Sequence, residues 1–457
     1  MVKLTFFGGV NEIGGNKILV EDKDAKIFFD FGLSFAKGQE FYTGFLAARN
    51  VAGAADDLEL GILPRIKGLY SREQLKFSDF LKYEEPKFDA IFLSHAHMDH
   101  CAHLQYIDEA VNVYLGETTK KIIESFQPGE KEEEALGIHP YKTFRTGDKI
   151  KVGDIEVEPV HVDHSVPGAY GFLIHTSAST IVYTGDYRLH GPAGKMTEEF
   201  VERASSCDPV VLITEGTRLG RKEKTESLSE EGVRKLSDKI VSRTNKLVIS
   251  TFYGRDIDRI KTFYQVAKNN DRKFLVSMRT AHLMNKLKDD TRLGVPDPLK
   301  DENILIYARR KKGGAYDEKD YYLWERPYLE NFVGCKHVQD CSDKCLLNLD
   351  LYNFTELVDI NPKGGHFIHS MSEPFSEGGM DQIEQEVMIN WLNHFKMKFH
   401  QVHASGHISP KELKEVVKKI NPKQLFPIHT DRPEMFNRLI KKVRIVRPIV
   451  GKEIEIK

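Results

Sequence analysis

A cluster of histidines and an aspartate at the end of a predicted strand constrains this chain more than any other feature. The apolar run at 90–93 predicts a buried β-strand, and His95, His97, Asp99 and His100 follow it closely. A strand holds the loop after it in place, so ligating side chains can converge there. Imidazole and carboxylate ligands without thiolate favour Zn²⁺ or Mn²⁺. The sequence therefore predicts a metal centre at this loop.

A complete coordination shell needs further ligands from elsewhere in the chain. Most candidates follow other predicted strands, at 155–160, 180–184 and 424–428, and one precedes a predicted helix. These candidates are His161, Asp163, His164, Asp186, His407 and His429. Any one of them alone could be structural, but their recurrence at the ends of elements favours a shared functional site.

The pattern of short apolar runs predicts an α/β architecture. Runs at 210–214, 246–250, 273–277, 303–307 and 365–369 read as strands, and helical patterns lie between several of them. The clearest helix begins after Ser409, because Pro410 and Glu412 complete a capping box with proline at the first helical position.

Composition limits the class of protein. The 457 residues are enough for two or three domains, and 66 Lys and Arg against 68 Asp and Glu give a net charge of −2. This balance excludes a globally basic nucleic-acid binder but not a local basic groove. The sequence has neither a membrane-spanning apolar stretch nor a secretory leader pattern, so we expect a cytoplasmic protein without a membrane partner.

Several motifs resemble those of the metallo-β-lactamase superfamily. They are the segment from His95 to His100, His164, the pair Gly185-Asp186, and the segments 7–16 and 29–32. Three further motifs resemble the β-CASP branch, which processes nucleic acids, and within it the RNase J-like ribonucleases. These are Thr214-Glu215-Gly216-Thr217, the run from Val402 to His407, and Pro427-Ile428-His429.

The resemblance implies a fold and a set of metal ligands. The fold would be α/β, with a four-layer αββα metallo-β-lactamase sandwich formed by residues 1–212 and 398–457 and an inserted α/β β-CASP domain at 213–397. Two Zn²⁺ ions are expected, with Mn²⁺ as the alternative. The implied ligands are His95, His97 and His164 for one ion, Asp99, His100 and His429 for the other, and Asp186 as the bridge.

The resemblance also implies catalytic and substrate-binding residues. His407, paired with Glu215, would donate a proton to the leaving oxygen, because a neighbouring carboxylate favours the protonated ring. The predicted catalytic residues are Asp99, Asp186, Glu215 and His407. The predicted substrate contacts are His403, Ser405, Gly406 and Arg255, and small residues with free backbone N–H groups suit a phosphate.

The implied function is a two-zinc ribonuclease that degrades single-stranded RNA from a 5′-monophosphate end, with endonucleolytic cleavage as a second activity. Three alternatives stay open: a DNA nuclease of the same branch, a catalytically silent RNA-binding subunit, and a thioester or lactam hydrolase. Glu215 and His407 argue against the last. A homodimer is a candidate assembly, but its mode cannot be carried over, because we do not expect the C-terminal domain of the bacterial relatives here.

The segment 309–360 does not match the family well. Its basic run 309–312 could contact an RNA backbone or be a solvated loop. Cys335, His337, Cys341 and Cys345 could form a further zinc site, a disulfide or unlinked thiols. After His100 the chain also departs from the family, because it has Cys101-Ala102 where RNase J commonly has two glycines.

Overall fold

A computed structural model describes residues 1–125, 136, 137, 139–221, 228–373 and 380–456. These residues form two compact units. Unit 1 contains the described residues up to Arg221 together with those from Gly406 onward, and unit 2 runs from residue 228 to Ser405. The predicted boundaries, at 212/213 and 397/398, lie slightly earlier in the chain. The strand that ends at Glu215 belongs to unit 1 because it pairs there on both sides.

The strands are numbered in chain order. They are β1 (Val2–Gly8), β2 (Lys17–Asp22), β3 (Ala25–Phe31), β4 (Ala90–Phe92), β5 (Asn112–Gly116), β6 (Tyr141–Phe144), β7 (Ile150–Val152), β8 (Ile155–His161), β9 (Tyr170–His175), β10 (Thr180–Tyr183), β11 (Val211–Glu215), β12 (Val248–Thr251), β13 (Lys273–Ser277), β14 (Ile304–Tyr307), β15 (Phe332–Val333), β16 (Cys345–Asn348), β17 (Gly365–His369), β18 (Met397–Gln401), β19 (Gln424–Ile428), β20 (Arg444–Ile445) and β21 (Glu453–Ile456).

The helices are numbered in the same way. They are α1 (Phe35–Phe41), α2 (Ala55–Glu59), α3 (Met98–Cys101), α4 (Glu117–Glu124), α5 (Gly194–Ser206), α6 (Glu230–Val241), α7 (Ile257–Asn269), α8 (Met278–Leu287), α9 (Cys335–Asp340), α10 (Glu356–Ile360), α11 (Met380–His394), α12 (Pro410–Ile420) and α13 (Glu434–Leu439). In the described part of the chain, none of these helices has the length and apolar character needed to cross a membrane.

Unit 1 contains two seven-stranded sheets with a shared core. Their strand orders are β21-β1-β2-β3-β4-β5-β6 and β20-β19-β11-β10-β9-β8-β7. Alternate residues of each strand point to the same face, and those on the two inner faces pack together. Phe29 of the first sheet lies with its ring centroid 5.1 Å from that of Phe172 in the second. The apolar alternation in these strands thus produces a sandwich.

Helices cover the outer faces of this sandwich. Phe200 of α5, Val416 of α12 and Phe436 of α13 pack with Leu212 on the second sheet, and α3 and α4 contact strands of the first. The predicted capping box is present at the start of α12. The four layers confirm the predicted αββα sandwich.

Unit 2 contains a seven-stranded, wholly parallel sheet. Its order is β15-β14-β13-β16-β12-β17-β18. Strands buried on both faces read as continuous apolar runs, which is why their sequences show little alternation. Helix residues such as Leu357 and Leu392 pack on Ile249 and Leu347 of the sheet. Unit 2 is therefore an α/β unit, as predicted for the inserted domain.

Candidate metal centre

Three histidines of unit 1 point their ring nitrogens at one place. Nδ1 of His97 lies 3.0 Å from Nε2 of His95 and 3.2 Å from Nε2 of His164. Burial, together with repulsion between the neighbouring rings, lowers the pKa of His95 and of His164 well below the usual value. Two neutral rings that point their nitrogens at the same nitrogen of His97 form an arrangement that a cation would stabilise.

A second group of ligand atoms combines carboxylate and imidazole. Nε2 of His429 lies 3.1 Å from Oδ2 of Asp99, and Nε2 of His100 lies 3.2 Å from Oδ2 of Asp186. Burial alone would raise the pKa of Asp99, but His100 and His429 hold it well below its usual value. Burial likewise opposes the charged form of His429, yet Asp186 and Asp99 raise its pKa to about 8. Before a cation binds, the carboxylates therefore favour protonation of the imidazoles, and the imidazoles favour the ionised carboxylates.

Asp186 lies within reach of both groups. Its Oδ2 is 3.8 Å from Nε2 of His95 and 3.5 Å from Nε2 of His429. The side chain is 1% exposed, and neither carboxylate oxygen accepts a well-directed hydrogen bond from the described residues. A buried carboxylate in this state is costly unless a cation is bound to it. The donor set therefore fits bound metal, and Asp186 lies within reach of both groups of ligand atoms.

Hydrogen bonds from outside the cluster orient its rings. Nδ1–H of His164 donates to the carbonyl of Gly406 at 2.6 Å, and Nδ1–H of His100 donates to Oδ2 of Asp30 at 2.8 Å. Each bond turns Nε2 of its ring toward the cluster. Sequence reasoning placed Asp30 in a family motif without giving it a role. Its backbone has φ +55°, which is uncommon for aspartate and not readable from the sequence.

Glu215 and His407 form a pair next to this cluster of ligand side chains. Nδ1 of His407 is 3.1 and 3.0 Å from the two carboxylate oxygens of Glu215. Oγ1 of Thr217 lies 2.6 Å from Oε2 of Glu215 and 2.8 Å from Nδ1 of His429. One hydroxyl thus connects the acid pair with a predicted metal ligand. Thr217 was missed as a functional residue, although its place two residues after Glu215 could have suggested it.

Two of the ligand candidates near His164 make contacts elsewhere. Nδ1 of His161 lies 2.9 Å from Oγ1 of Thr146, and Asp163 forms a buried ion pair with Arg188 at 3.3 Å. Their places at a strand end therefore reflect structural contacts. Of the residues raised from the sequence at this strand end, His164 is the one that points into the cluster.

The predicted substrate contacts have different surroundings. Gly406 belongs to unit 1, where its carbonyl holds His164. Arg255, His403 and Ser405 belong to unit 2. The guanidinium of Arg255 donates to the Tyr253 hydroxyl at 3.1 Å, and Nδ1–H of His403 donates to a backbone carbonyl at 3.1 Å. A role of these four residues in substrate binding stays a prediction.

Among the described residues, the segment 309–345 does not form the further zinc site considered from the sequence. Two of its basic side chains are used in ion pairs, Arg310 with Asp359 at 2.9 Å and Lys311 with Glu325 at 2.5 Å. Cys335, Cys341 and Cys345 form no disulfide, so the disulfide alternative is wrong. Among the described residues, the clusters with metal-ligand geometry all lie in unit 1 and contain no cysteine.

Known proteins are similar to this chain in sequence and in fold. Residues 70–236 match the family described as the beta-lactamase superfamily domain, and residues 394–448 match the Zn-dependent metallo-hydrolase RNA specificity domain. Ribonuclease J of Mycoplasma genitalium is 23% identical over 96% of this chain, which covers 69% of that relative. Ribonuclease J of Helicobacter pylori strain J99 is 23% identical over 94% of this chain, which covers 56% of that relative.

A solved structure is similar along its whole length. A protein of unknown function from Enterococcus faecalis V583 has a TM-score of 0.76 and 26% identity, and the match covers 99% of both chains. The fold, the histidine and aspartate cluster and the family matches define a metal-dependent hydrolase of the metallo-β-lactamase superfamily. Within that superfamily the chain is an RNase J-like member of the β-CASP branch.

Proposed function

We propose that this chain is a two-zinc ribonuclease that degrades single-stranded RNA in the 5′→3′ direction, prefers a 5′-monophosphate end and can also cleave internally. The observation that carries the proposal is the convergence of two ligand groups on Asp186. The matched RNA specificity domain and the Ribonuclease J relatives support RNA as the substrate. The preference for a 5′ end rests on the family resemblance.

The proposed metal ligands divide into two sets. His95, His97 and His164 would hold one cation and Asp99, His100 and His429 the other, with Asp186 contacting both. Bound divalent cations supply activation of water and neutralisation of charge on the phosphodiester. Five of the seven proposed ligands, all except His97 and Asp99, are buried, and their burial keeps competing water away from these charges.

The proton needed by the leaving oxygen would come from His407. Because Nδ1 faces Glu215, Nε2 is the ring nitrogen directed away from that carboxylate. Glu215 is fully buried, and it accepts hydrogen bonds from the backbone N–H of Tyr187 at 3.2 Å and the hydroxyl of Thr217. These bonds fix the carboxylate, so that it orients the imidazole.

The test compares RNA and DNA of one sequence. Zn²⁺-loaded protein is incubated with 5′-monophosphate RNA, 5′-triphosphate RNA and 5′-monophosphate DNA, and products are resolved on a sequencing gel. We expect rapid degradation of the monophosphate RNA and at least a thousandfold loss of rate in Asp186→Ala. Asp22→Asn, a buried carboxylate away from the cluster, is the matched control and should stay active.

Other results would overturn the proposal in identifiable ways. Equal degradation of DNA would indicate a DNA nuclease. Tight RNA binding without cleavage by protein shown to contain metal would indicate an RNA-binding subunit. Undiminished cleavage by metal-loaded Asp186→Ala would remove the proposed site from the reaction.

A further inference from the structure

A lysine of unit 1 is buried beside the loop that carries Asp99. Lys17, the first residue of β2, is 1% exposed. Its ammonium donates a short hydrogen bond to the carbonyl of Gly32 and a longer one, 3.3 Å, to the carbonyl of Gly15. The ring of Phe31 lies 5.4 Å from Nζ. Burial lowers the pKa of Lys17 to about 7. Nζ can donate both hydrogen bonds whether it is protonated or neutral, because either form carries N–H groups.

Both carbonyls belong to turns that hold the backbone of Asp99. The N–H of Gly32 donates to the carbonyl of Asn16 at 3.1 Å, and the N–H of Asn16 donates to the carbonyl of Asp99 at 3.1 Å. Gly32 lies so close that a Cβ there would be 1.7 Å from the Asp99 carbonyl oxygen, and a Cβ on Gly14 would be 2.6 Å from Cβ of Asp99. Lys17 thus donates hydrogen bonds to both turns, and Asp99 lies between these turns.

The glycine-rich segment 8–16, which contains the Gly15 turn, also contacts His429. The N–H of His429 donates to the carbonyl of Gly9 at 2.7 Å, and the N–H of Gly9 donates to the carboxylate of Glu12 at 3.1 Å. The hydroxyl of Ser34, directly after the Gly32 turn, donates a short hydrogen bond to the same carboxylate. The segment therefore touches two of the three proposed ligands of one metal.

Two of the ligands proposed for the other metal are oriented by groups outside these turns. His95 has its Nδ1 2.9 Å from Oγ of Ser94, and His164 is held by the Gly406 carbonyl. Neither ring shares a hydrogen bond with the turns that Lys17 joins. A disturbance of these turns would therefore act on one half of the cluster.

We infer that Lys17 is a positioning residue that holds the turns on either side of Asp99. It thereby raises the affinity of the Asp99–His100–His429 site for its metal ion. The inference rests on the two-metal site proposed above. Without the donor at position 17, two buried carbonyls lose a hydrogen bond and the turns shift to reach other donors. Asp99 then moves relative to His429, and contacts of this kind behind metal ligands are worth about 10–100-fold in affinity.

The experiment measures zinc binding in the whole protein. Wild type, Lys17→Met and Lys17→Gln are dialysed against graded free Zn²⁺, and bound metal is counted by plasma mass spectrometry. Methionine keeps the length of the side chain without a donor, and glutamine keeps one donor group. Val20→Ala is the matched control, because it weakens β2 from the hydrophobic core without touching either turn. Thermal unfolding of each variant shows that it is folded.

We expect wild type and Val20→Ala each to bind two Zn²⁺ ions per chain tightly. Lys17→Met should keep one tight equivalent and bind the second at least tenfold more weakly, with Lys17→Gln in between. The inference would be overturned if Lys17→Met bound both Zn²⁺ ions as tightly as wild type. It would also be overturned if both ions bound more weakly by the same factor. If Lys17→Met does not fold, unchanged binding in Lys17→Gln overturns it. A single equivalent in wild type would instead refute the two-metal site itself, and this outcome is visible before any variant is compared.

Discussion

Replacing Asp30 by asparagine tests how the cluster is held in place. The fully buried carboxylate of Asp30 accepts hydrogen bonds from the N–H of Ser94 at 2.7 Å, from its hydroxyl at 2.8 Å and from Nδ1–H of His100 at 2.8 Å. The hydroxyl of Tyr183 donates to the same Oδ2. Asparagine keeps the shape of the side chain but changes one acceptor into an NH₂ donor.

The size of the effect follows from which donors can adapt. The hydroxyls of Ser94 and Tyr183 can rotate and accept from the new NH₂ group. The N–H of His100 cannot, as long as its Nε2 faces the cluster. One hydrogen bond to a charged group is then lost, at about 1.5–3 kcal/mol, and two donors face each other. We expect the free energy of unfolding to fall by about 3 kcal/mol, and zinc affinity by about 10–100-fold.

The assay combines urea denaturation of the metal-free protein with zinc titration. Asp22→Asn is the control, because Asp22 is equally buried and accepts two hydrogen bonds from Ser177, at 2.5 and 2.7 Å, away from the cluster. It should lose stability without losing zinc affinity. The reasoning fails if Asp30→Asn keeps wild-type zinc affinity, or if both variants weaken zinc binding equally.

Three further changes have defined outcomes. Thr217→Val removes the hydroxyl behind the acid pair, and we expect RNA cleavage at saturating substrate to slow about 10–100-fold; an unchanged rate would contradict the role of this hydroxyl. Gly32→Ala places a Cβ 1.7 Å from a backbone carbonyl oxygen and should lower the free energy of unfolding by about 3 kcal/mol or more, whereas Gly38→Ala in α1 meets open space and should raise it by about 0.5–1 kcal/mol; urea denaturation distinguishes them, and equal effects would argue against the clash. Burial raises the pKa of Glu412, but hydrogen bonds from His190 and the α12 cap lower it to about 2. Since the folded pKa lies below the unfolded one, about 1–2 kcal/mol of stability present above pH ~4.5 is lost as the pH falls toward 2, and Glu412→Gln should lack this loss in thermal unfolding between pH 6 and 3.

Local sequence pattern determined the elements and where their functional side chains stand. Apolar runs of four or five residues predicted strands, and the capping box at Ser409 predicted the start of α12. Ligating residues directly after such runs, as at His95 and Asp186, pointed to one edge of the sheets. The predictions of the strands and of the helix start succeed because strand formation and helix capping depend on residues close together in the chain.

Tertiary structure alone decided which of these side chains meet and what holds them. Nothing local distinguishes His164, which points into the cluster, from His161, which bonds Thr146. The buried lysine at position 17 reads as an ordinary polar residue at the start of a strand until its carbonyl partners are known. Contacts between residues far apart in sequence, such as Asp99 and His429, follow from the packing of two sheets. Their geometry is fixed by the shape of the whole core, which no short stretch of sequence contains.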